Sequence, residues 1–334
     1  MDRNERNLYK SGKSNPNRYR MKIRNRKAFF AFCLAVFILL ISCVMFILEK
    51  TNVYSWNQLK TQLGIVEGTA SDDLDFAVYY LDVGQSDCSI IVCDDKVMMI
   101  DAGTINRLND IKSSLLTLNI DTIDYMIITH PHDDHMGCAA SIINDYNVLN
   151  IIMPKLDESN MVTTDAYEEF LNAVINKKVT AIAAEPGYSF SLGSAKVGIF
   201  SPMQQDDNLN NMSVVTKIIY GETSFLFQGD AEKKVENSLI KSNYDLSADV
   251  IKLGHHGSNT SSTSKYLNAV NPKAAIISCG ADNSYGHPHG EVLKRLEDAN
   301  IDTYITALSG SITVTSDGSK ITVKSESGEE KVYE

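Results

Sequence analysis

No two cysteines of the 334-residue chain form a C-x-x-C pair. Cys33 and Cys43 fall in one apolar run, and Cys88, Cys93, Cys138 and Cys279 are scattered, so no disulfide framework is indicated. Internal repeats and extended low-complexity tracts are also missing. What remains is a 43% apolar chain, enough to bury a core in one large domain or two ordinary ones.

Charge is missing altogether from residues 28–48, AFFAFCLAVFILLISCVMFIL, a run closed by Glu49 and Lys50. At about 1.5 Å per residue such a helix crosses the hydrocarbon core of a bilayer. The run exceeds the roughly 7–15 apolar residues of a cleavable signal and lacks an A-x-A site, which predicts an uncleaved anchor. Leu40-Ile41-Ser42-Cys43 has the look of a lipidation box, but the residues after Cys43 stay apolar. Residues 1–27 hold ten Lys or Arg against Asp2 and Glu5, and a flank so basic is expected to stay in the cytoplasm. The prediction is a single-pass cell-membrane protein: a basic cytoplasmic tail (1–27), a transmembrane anchor (28–48), a stalk (49–74) and an extracellular globular domain (75–334).

Basic residues are scarce beyond the anchor. The first 50 residues take 11 of the 31 Lys and Arg but only 3 of the 42 Asp and Glu, leaving 20 basic against 39 acidic residues, a formal charge near −19. A field of that sign repels polyanions at long range, so no stable nucleic-acid complex is expected.

Within 75–334, β-branched and apolar runs at 76–83, 88–93 and 96–101, parted by Gly84-Gln85 and Asp94-Asp95, predict consecutive antiparallel strands. A helical pattern follows at 105–118. Further strand-like runs (125–128, 151–153, 179–184, 214–220, 223–227, 250–253, 274–278) alternate with helix-like stretches at 138–147, 164–176, 231–240, 262–269 and 290–299. Such interleaving predicts an α+β domain of sheets covered by helices.

Histidine is absent everywhere except in three tight groups: His130, His132 and His135; His255 and His256; His287 and His289. The first reads T-H-P-H-D-D-H directly after an apolar strand, where ligands converge on a loop. Imidazoles two residues apart can face one way from an extended loop, while Asp134 and His135 enter a turn and can face a second ion. These donors suit zinc first, with manganese or iron as alternatives because carboxylates contribute. Asp230, after Phe227-Gln228-Gly229, ends another apolar strand; it reads as a helix N-cap or as a carboxylate shared between two ions. Asp249 to Ser258 repeats the pattern of strand followed by histidines, so one of His255 and His256 is a candidate ligand and the other a donor to a substrate oxygen. Gly286-His287-Pro288-His289 is either plain surface or a substrate-side loop.

In order along the chain stand Leu81-Asp82-Val83-Gly84-Gln85, Ile100-Asp101-Ala102-Gly103, H-P-H-D-D-H at 130–135, Gly229-Asp230, H-H-G-S at 255–258 and G-H-P-H at 286–289. This series, over roughly residues 75–315, resembles the metallo-β-lactamase superfamily. It is most similar to the branch with the extracellular domain of the competence protein ComEC and teichoic acid phosphorylcholine esterase. The resemblance implies an αββα four-layer sandwich with two divalent ions at one edge. His130 and His132 would hold one ion, Asp134, His135 and His256 the other, and Asp230 would bridge. His255 and His289, with Asp134, would serve catalysis. Asp82, Asp101, Asn211, Ser258 and His287 would bind substrate or brace the ligands, although Asp82 and Asp101 read equally well as turn caps.

Asn210-Asn211-Met212-Ser213 falls where many members of the superfamily place another metal histidine, yet no histidine occurs between 135 and 255. Ser86 and Cys138 replace glycines common in the family, and Cys138 is expected to be oxidisable. The missing histidine points away from β-lactam hydrolysis and towards a phosphodiesterase acting on nucleic acid or a cell-wall phosphodiester. An ester, amide or lactone hydrolase is the alternative within enzymes. A non-catalytic, competence-related binding module is the alternative outside them.

Overall fold

The computed structural model describes residues 75–158 and 160–334, with seven helical positions among residues 34–44. The rest of the predicted tail, anchor and stalk lies outside the described residues. Among those described, no helix is long and apolar enough to cross a membrane.

Two sheets carry the domain. The first has nine strands in the order β16-β15-β14-β1-β2-β3-β4-β5-β6. They are β1 Phe76–Tyr80, β2 Ser89–Cys93, β3 Lys96–Ile100, β4 Thr122–Ile127, β5 Asn147–Met153, β6 Thr180–Ala183, β14 Ile312–Ser316, β15 Ile321–Ser325 and β16 Glu330–Tyr333. The second is ordered β13-β12-β11-β10-β9-β8-β7. It is built from β7 Ser189–Leu192, β8 Ala195–Ile199, β9 Thr216–Tyr220, β10 Thr223–Phe227, β11 Val250–Lys252, β12 Ala274–Ile277 and β13 Asp302–Ile305.

Side-chain alternation sorts residues between layers. In β1, Phe76, Val78 and Tyr80 enter the core between the sheets, whereas Ala77 and Tyr79 face the outer layer. In β10 and β12, Phe225, Phe227, Ala274 and Ile276 point to the same central core, and Leu226, Ala275 and Ile277 point away from it. Over the first sheet lie α1 (Leu108–Thr117), α3 (Ala139–Asp145) and α4 (Asp165–Lys177), through Ile111, Leu115, Ile142, Phe170 and Ala173. Over the second lie α5 (Lys233–Lys241), α6 (Ser264–Val270) and α7 (Gly290–Asp298), through Leu239, Leu267, Val292 and Leu296. The predicted αββα four-layer sandwich is therefore observed. The helices α2 (Asp133–Met136) and α8 (Thr306–Ser309) are single turns.

The antiparallel β1-β2-β3 meander is as predicted. Beyond it β3 through β6 are parallel, as are β10 through β13. The carboxyl ends of β3, β4, β10, β11 and β12 lead into the segments holding Asp101, His130–His135, Asp230, His255–His256 and His287. This is where open parallel sheets place their ligands.

Candidate metal centre

Local backbone geometry brings these strand ends together. Gly229 has φ +55°, and a Cβ there would stand 2.9 Å from Thr129 Cβ and 3.0 Å from Ser213 Cβ, so glycine lets the Asp230 loop press against the His130 strand end. Asp101, His255 and His256 also hold positive φ of 60°, 53° and 53°. Left-handed backbone at non-glycine residues costs about 1–2 kcal/mol each and gathers at functional sites. Gly257 (φ +81°) closes that turn, and any Cβ on it would meet Pro288 Cβ at 2.7 Å, so the His255–His256 turn packs directly on the His287 loop.

The result is a compact set of metal-type donors. His130, His135 and Asp230 offer atoms all within 4.8 Å of one another, and so do Asp134, His135 and His256. His132 Nδ1 lies 2.9 Å from His130 Nε2, the pairing expected of the H-x-H unit. His135 Nε2 is 3.3 Å from Asp230 Oδ1, His256 Nε2 is 3.2 Å from Asp134 Oδ2, and His256 Nε2 is 3.9 Å from Asp230 Oδ2. Asp230 thus lies between both groups. Helix α5 is capped by Glu232, not Asp230, so the N-cap alternative for Asp230 falls.

Two atoms test whether ions fit. His135 Nε2 and Asp230 Oδ1 are fully buried and face each other at 3.3 Å without forming a well-aligned hydrogen bond, an arrangement that buried polar atoms rarely adopt. A divalent ion beside them would give both a partner. The outer nitrogens are fixed to match. His135 Nδ1 donates to Asp101 Oδ2 at 2.8 Å, while Thr129 donates to both Asp101 oxygens, each at 2.8 Å. His256 Nδ1 donates to Ser278 O at 3.0 Å and faces Asp87 Oδ1 at 3.3 Å. Each contact turns Nε2 towards the cluster.

The electrostatics of the metal-free site agree. Burial opposes charge on His256, yet the Asp230 and Asp87 carboxylates and the contact with Asp134 raise its pKa to about 10. His135 is likewise driven well above its ordinary value by Asp230, Asp101 and Asp134 against the effect of burial. Asp230 and Asp134 are held below the usual carboxylate range by these imidazoles, although burial pushes the other way. Protons thus stand in for cations. His130, buried beside His135, is pushed well down, and His287 falls to about 4 through burial and its histidine neighbours.

The cluster floors a cleft of about 440 Å³ lined by His132, Asp134, Asp230, His255, His256, His287, Gln85 and Tyr285, among others. His255 Nε2 stands 3.7 Å from Asp230 Oδ2 and its Nδ1 3.1 Å from Thr260 Oγ1. Other predicted residues sit differently. His289 is off the cleft wall: it N-caps α7 and its Nδ1 accepts from Asn259 N at 2.9 Å. Ser258 Oγ accepts from Thr260, and Asn211 Oδ1 accepts from Glu232 N at 3.4 Å, so both brace loops. Asp82 is exposed and caps its own turn through Gly84 N at 3.2 Å. Asp101 is buried and joins His135 to Thr129. Cys138 is fully buried, donates to Thr104 O, and burial pushes its thiol up to about 12, which contradicts the expectation that it oxidises.

Three supports were not anticipated. Asp87 and Lys252 form a buried pair behind His256, and Ser213 Oγ sits 3.3 Å from His130 Nδ1 while accepting from Asp230 N at 2.9 Å. Ser213 therefore touches both His130 and the backbone of Asp230, two members of one donor group. Alternation along β11 was the available signal for Lys252, since Val250 faces the inter-sheet core and Lys252 must share that face.

Fold and cluster together define a metal-binding αββα domain. The chain belongs to the metallo-β-lactamase superfamily, whose family model matches residues 81–281. It is similar to ComE operon protein 3 of Bacillus subtilis, 31% identical over 199 residues, covering 59% of this chain and 25% of that one. It is also similar to Recombination protein 2 of Haemophilus influenzae, 30% identical over 243 residues, covering 70% of this chain and 28% of that one. The chain thus spans about a quarter of these curated relatives. Among solved structures, CmlA, a diiron β-hydroxylase from Streptomyces venezuelae, shares the fold with TM-score 0.52 at 14% identity, over 73% of this chain and 54% of that one.

Proposed function

We propose that this superfamily hydrolase is a phosphodiesterase working with two divalent ions, zinc first among the candidates and manganese or iron after it. The observation that carries this reading is the meeting of two donor groups, His130, His135 and Asp230 with Asp134, His135 and His256, where the buried His135 Nε2 and Asp230 Oδ1 face each other at 3.3 Å without a hydrogen bond beside an open cleft. His130, His132 and Asp230 would hold one ion, and Asp134, His135 and His256 the other, with Asp230 shared. Bound there, the ions would supply Lewis acidity to a phosphoryl group and acidify a water.

The rest falls to the chain's own groups. A site with two imidazoles and a carboxylate on one side leaves room for the oxygens of an anionic phosphodiester. Hydrolysis adds water to phosphorus, breaks the P–O bond to one alcohol and leaves a proton to be returned to that alcohol. His255 lines the cleft and is positioned to donate to the departing oxygen. Asp101 and Ser278 hold His135 and His256 in the required tautomers.

The test is hydrolysis of bis(p-nitrophenyl) phosphate by the purified full chain. Activity abolished by chelator, restored by zinc or manganese, and absent in D134A supports the reading. Metal binding without turnover of any phosphodiester favours the binding module suggested by competence-related relatives. We further propose that residues 28–48 anchor the chain with the hydrolase domain outside the cell; protease added to intact cells should then degrade the domain but not the basic tail.

A further inference from the structure

Gln228 takes no part in the ion chemistry, yet it stands where strands β10 and β11 part into their two ligand loops. Its backbone N donates to Lys252 O at 3.3 Å, continuing the parallel pair by one residue. Beyond that point one chain segment runs to Asp230 and the other to His255 and His256. The Gln228 side chain is fully buried and spans the divide. Its Oε1 accepts from Gly254 N at 3.2 Å, while its Nε2 donates to Ala231 O at 2.9 Å and to Glu236 Oε1 at 2.7 Å. Glu236, on α5 and also fully buried, accepts in addition from Ser262 N and from the backbone N and hydroxyl of Thr263.

Shape follows the same plan. A Cβ on Gly254 would stand 2.7 Å from Gln228 Cδ and 2.8 Å from its Nε2, so the glycine makes room for the amide. The turn that begins there needs a hold. His255 and His256 both have positive φ, and left-handed backbone at non-glycine residues persists only where the surroundings over-determine it. Gly257 packs the far end of the turn on Pro288, and Gln228 fastens the near end.

Resting on the two-ion reading, we infer that Gln228 is a positioning residue for the metal centre: by tying Gly254 to Ala231 it sets His256 against Asp230, and with that the affinity for the ion of Asp134, His135 and His256. The ion of His130, His132 and Asp230 depends on it less. His130 and His132 follow β4, and Asp230 N has its own tie to Ser213 Oγ at 2.9 Å.

The experiment is a zinc titration of the full chain against a chromophoric chelator, resolving both ions. Q228M keeps the length of the side chain without its polar atoms, and G254A puts a methyl group where the amide packs. Each should weaken one ion, the same one that H256A loses, by about 10–100-fold, the range for groups that orient metal ligands, and leave the other within about threefold. Q228M/G254A should weaken that ion no further than the more severe single variant, because both break the same contact. If Q228M fails to fold, G254A alone decides. Wild-type affinities in the variants, equal weakening of both ions, or additive losses in the double variant would overturn the inference and leave the metal centre standing. A wild type that binds no zinc would remove the metal centre, and the inference with it.

Discussion

Lys252 Nζ lies 2.8 Å from Asp87 Oδ2, and the two residues, 165 positions apart, are both buried. The other Asp87 oxygen faces His256 Nδ1 at 3.3 Å, so the ion pair backs a candidate metal ligand. Removing one member of such a pair leaves an uncompensated buried charge, at a cost of about 3–5 kcal/mol. K252M should lower the unfolding free energy by about 3 kcal/mol in urea denaturation, and K252M/D87N should lose less than the sum of the single variants. A K252M protein as stable as the wild type would show that the pair does not hold this corner of the domain.

Asp101 ties His135 to Thr129 through three contacts of 2.8 Å. Such outer partners fix ring orientation, and their loss costs about 10–100-fold in metal affinity. D101N, measured by zinc competition with a chromophoric chelator, should bind within that window of weakening while melting near the wild-type temperature. Unchanged affinity would reduce Asp101 to a turn cap.

Acidity should act oppositely on the metal-free and metal-loaded protein. Without metal, carboxylates raise His256 to about 10, so the folded chain holds this proton more tightly than an unfolded chain, where histidine titrates near 6.5. The stabilisation is complete below about pH 6.5 and is lost as pH rises towards 10; His135, raised in the same direction, adds to it. The melting temperature of chelator-treated protein should therefore fall across this window, with a shallower slope in H256N. Metal affinity should rise over the same range, because the ion displaces these protons. A metal-free protein that grows more stable from pH 7 to 10 would contradict this.

Much of the site was legible because its parts are short, local patterns. H-P-H-D-D-H follows strand β4 without a break, and Gly229-Asp230 and His255-His256 each close an apolar run. The four-layer sandwich was implied by the family resemblance that those motifs carry. Contacts between distant segments were not legible: Asp87 sits in a loop and Lys252 looks like an interruption of an apolar strand, until the inter-sheet face brings them together. Of the strands not expected, β7 and β16 are largely exposed and polar, as in Ser189–Leu192 and Glu330–Tyr333, whereas β8, β14 and β15 do alternate buried with more exposed residues, as in Ile312–Ser316. His289 could not be placed from sequence either: its ring packs edge-on against His287 while its Nδ1 accepts from Asn259 N.

The most direct measurement is the number of divalent ions per chain. It is read by elemental analysis after zinc loading and desalting, in the wild type and in D230A. Two ions per wild-type chain, with fewer in D230A, is the predicted result. A wild-type chain that retains none, or a D230A variant that retains both, would contradict the assignment of the His130, His135 and Asp230 cluster as a shared metal centre.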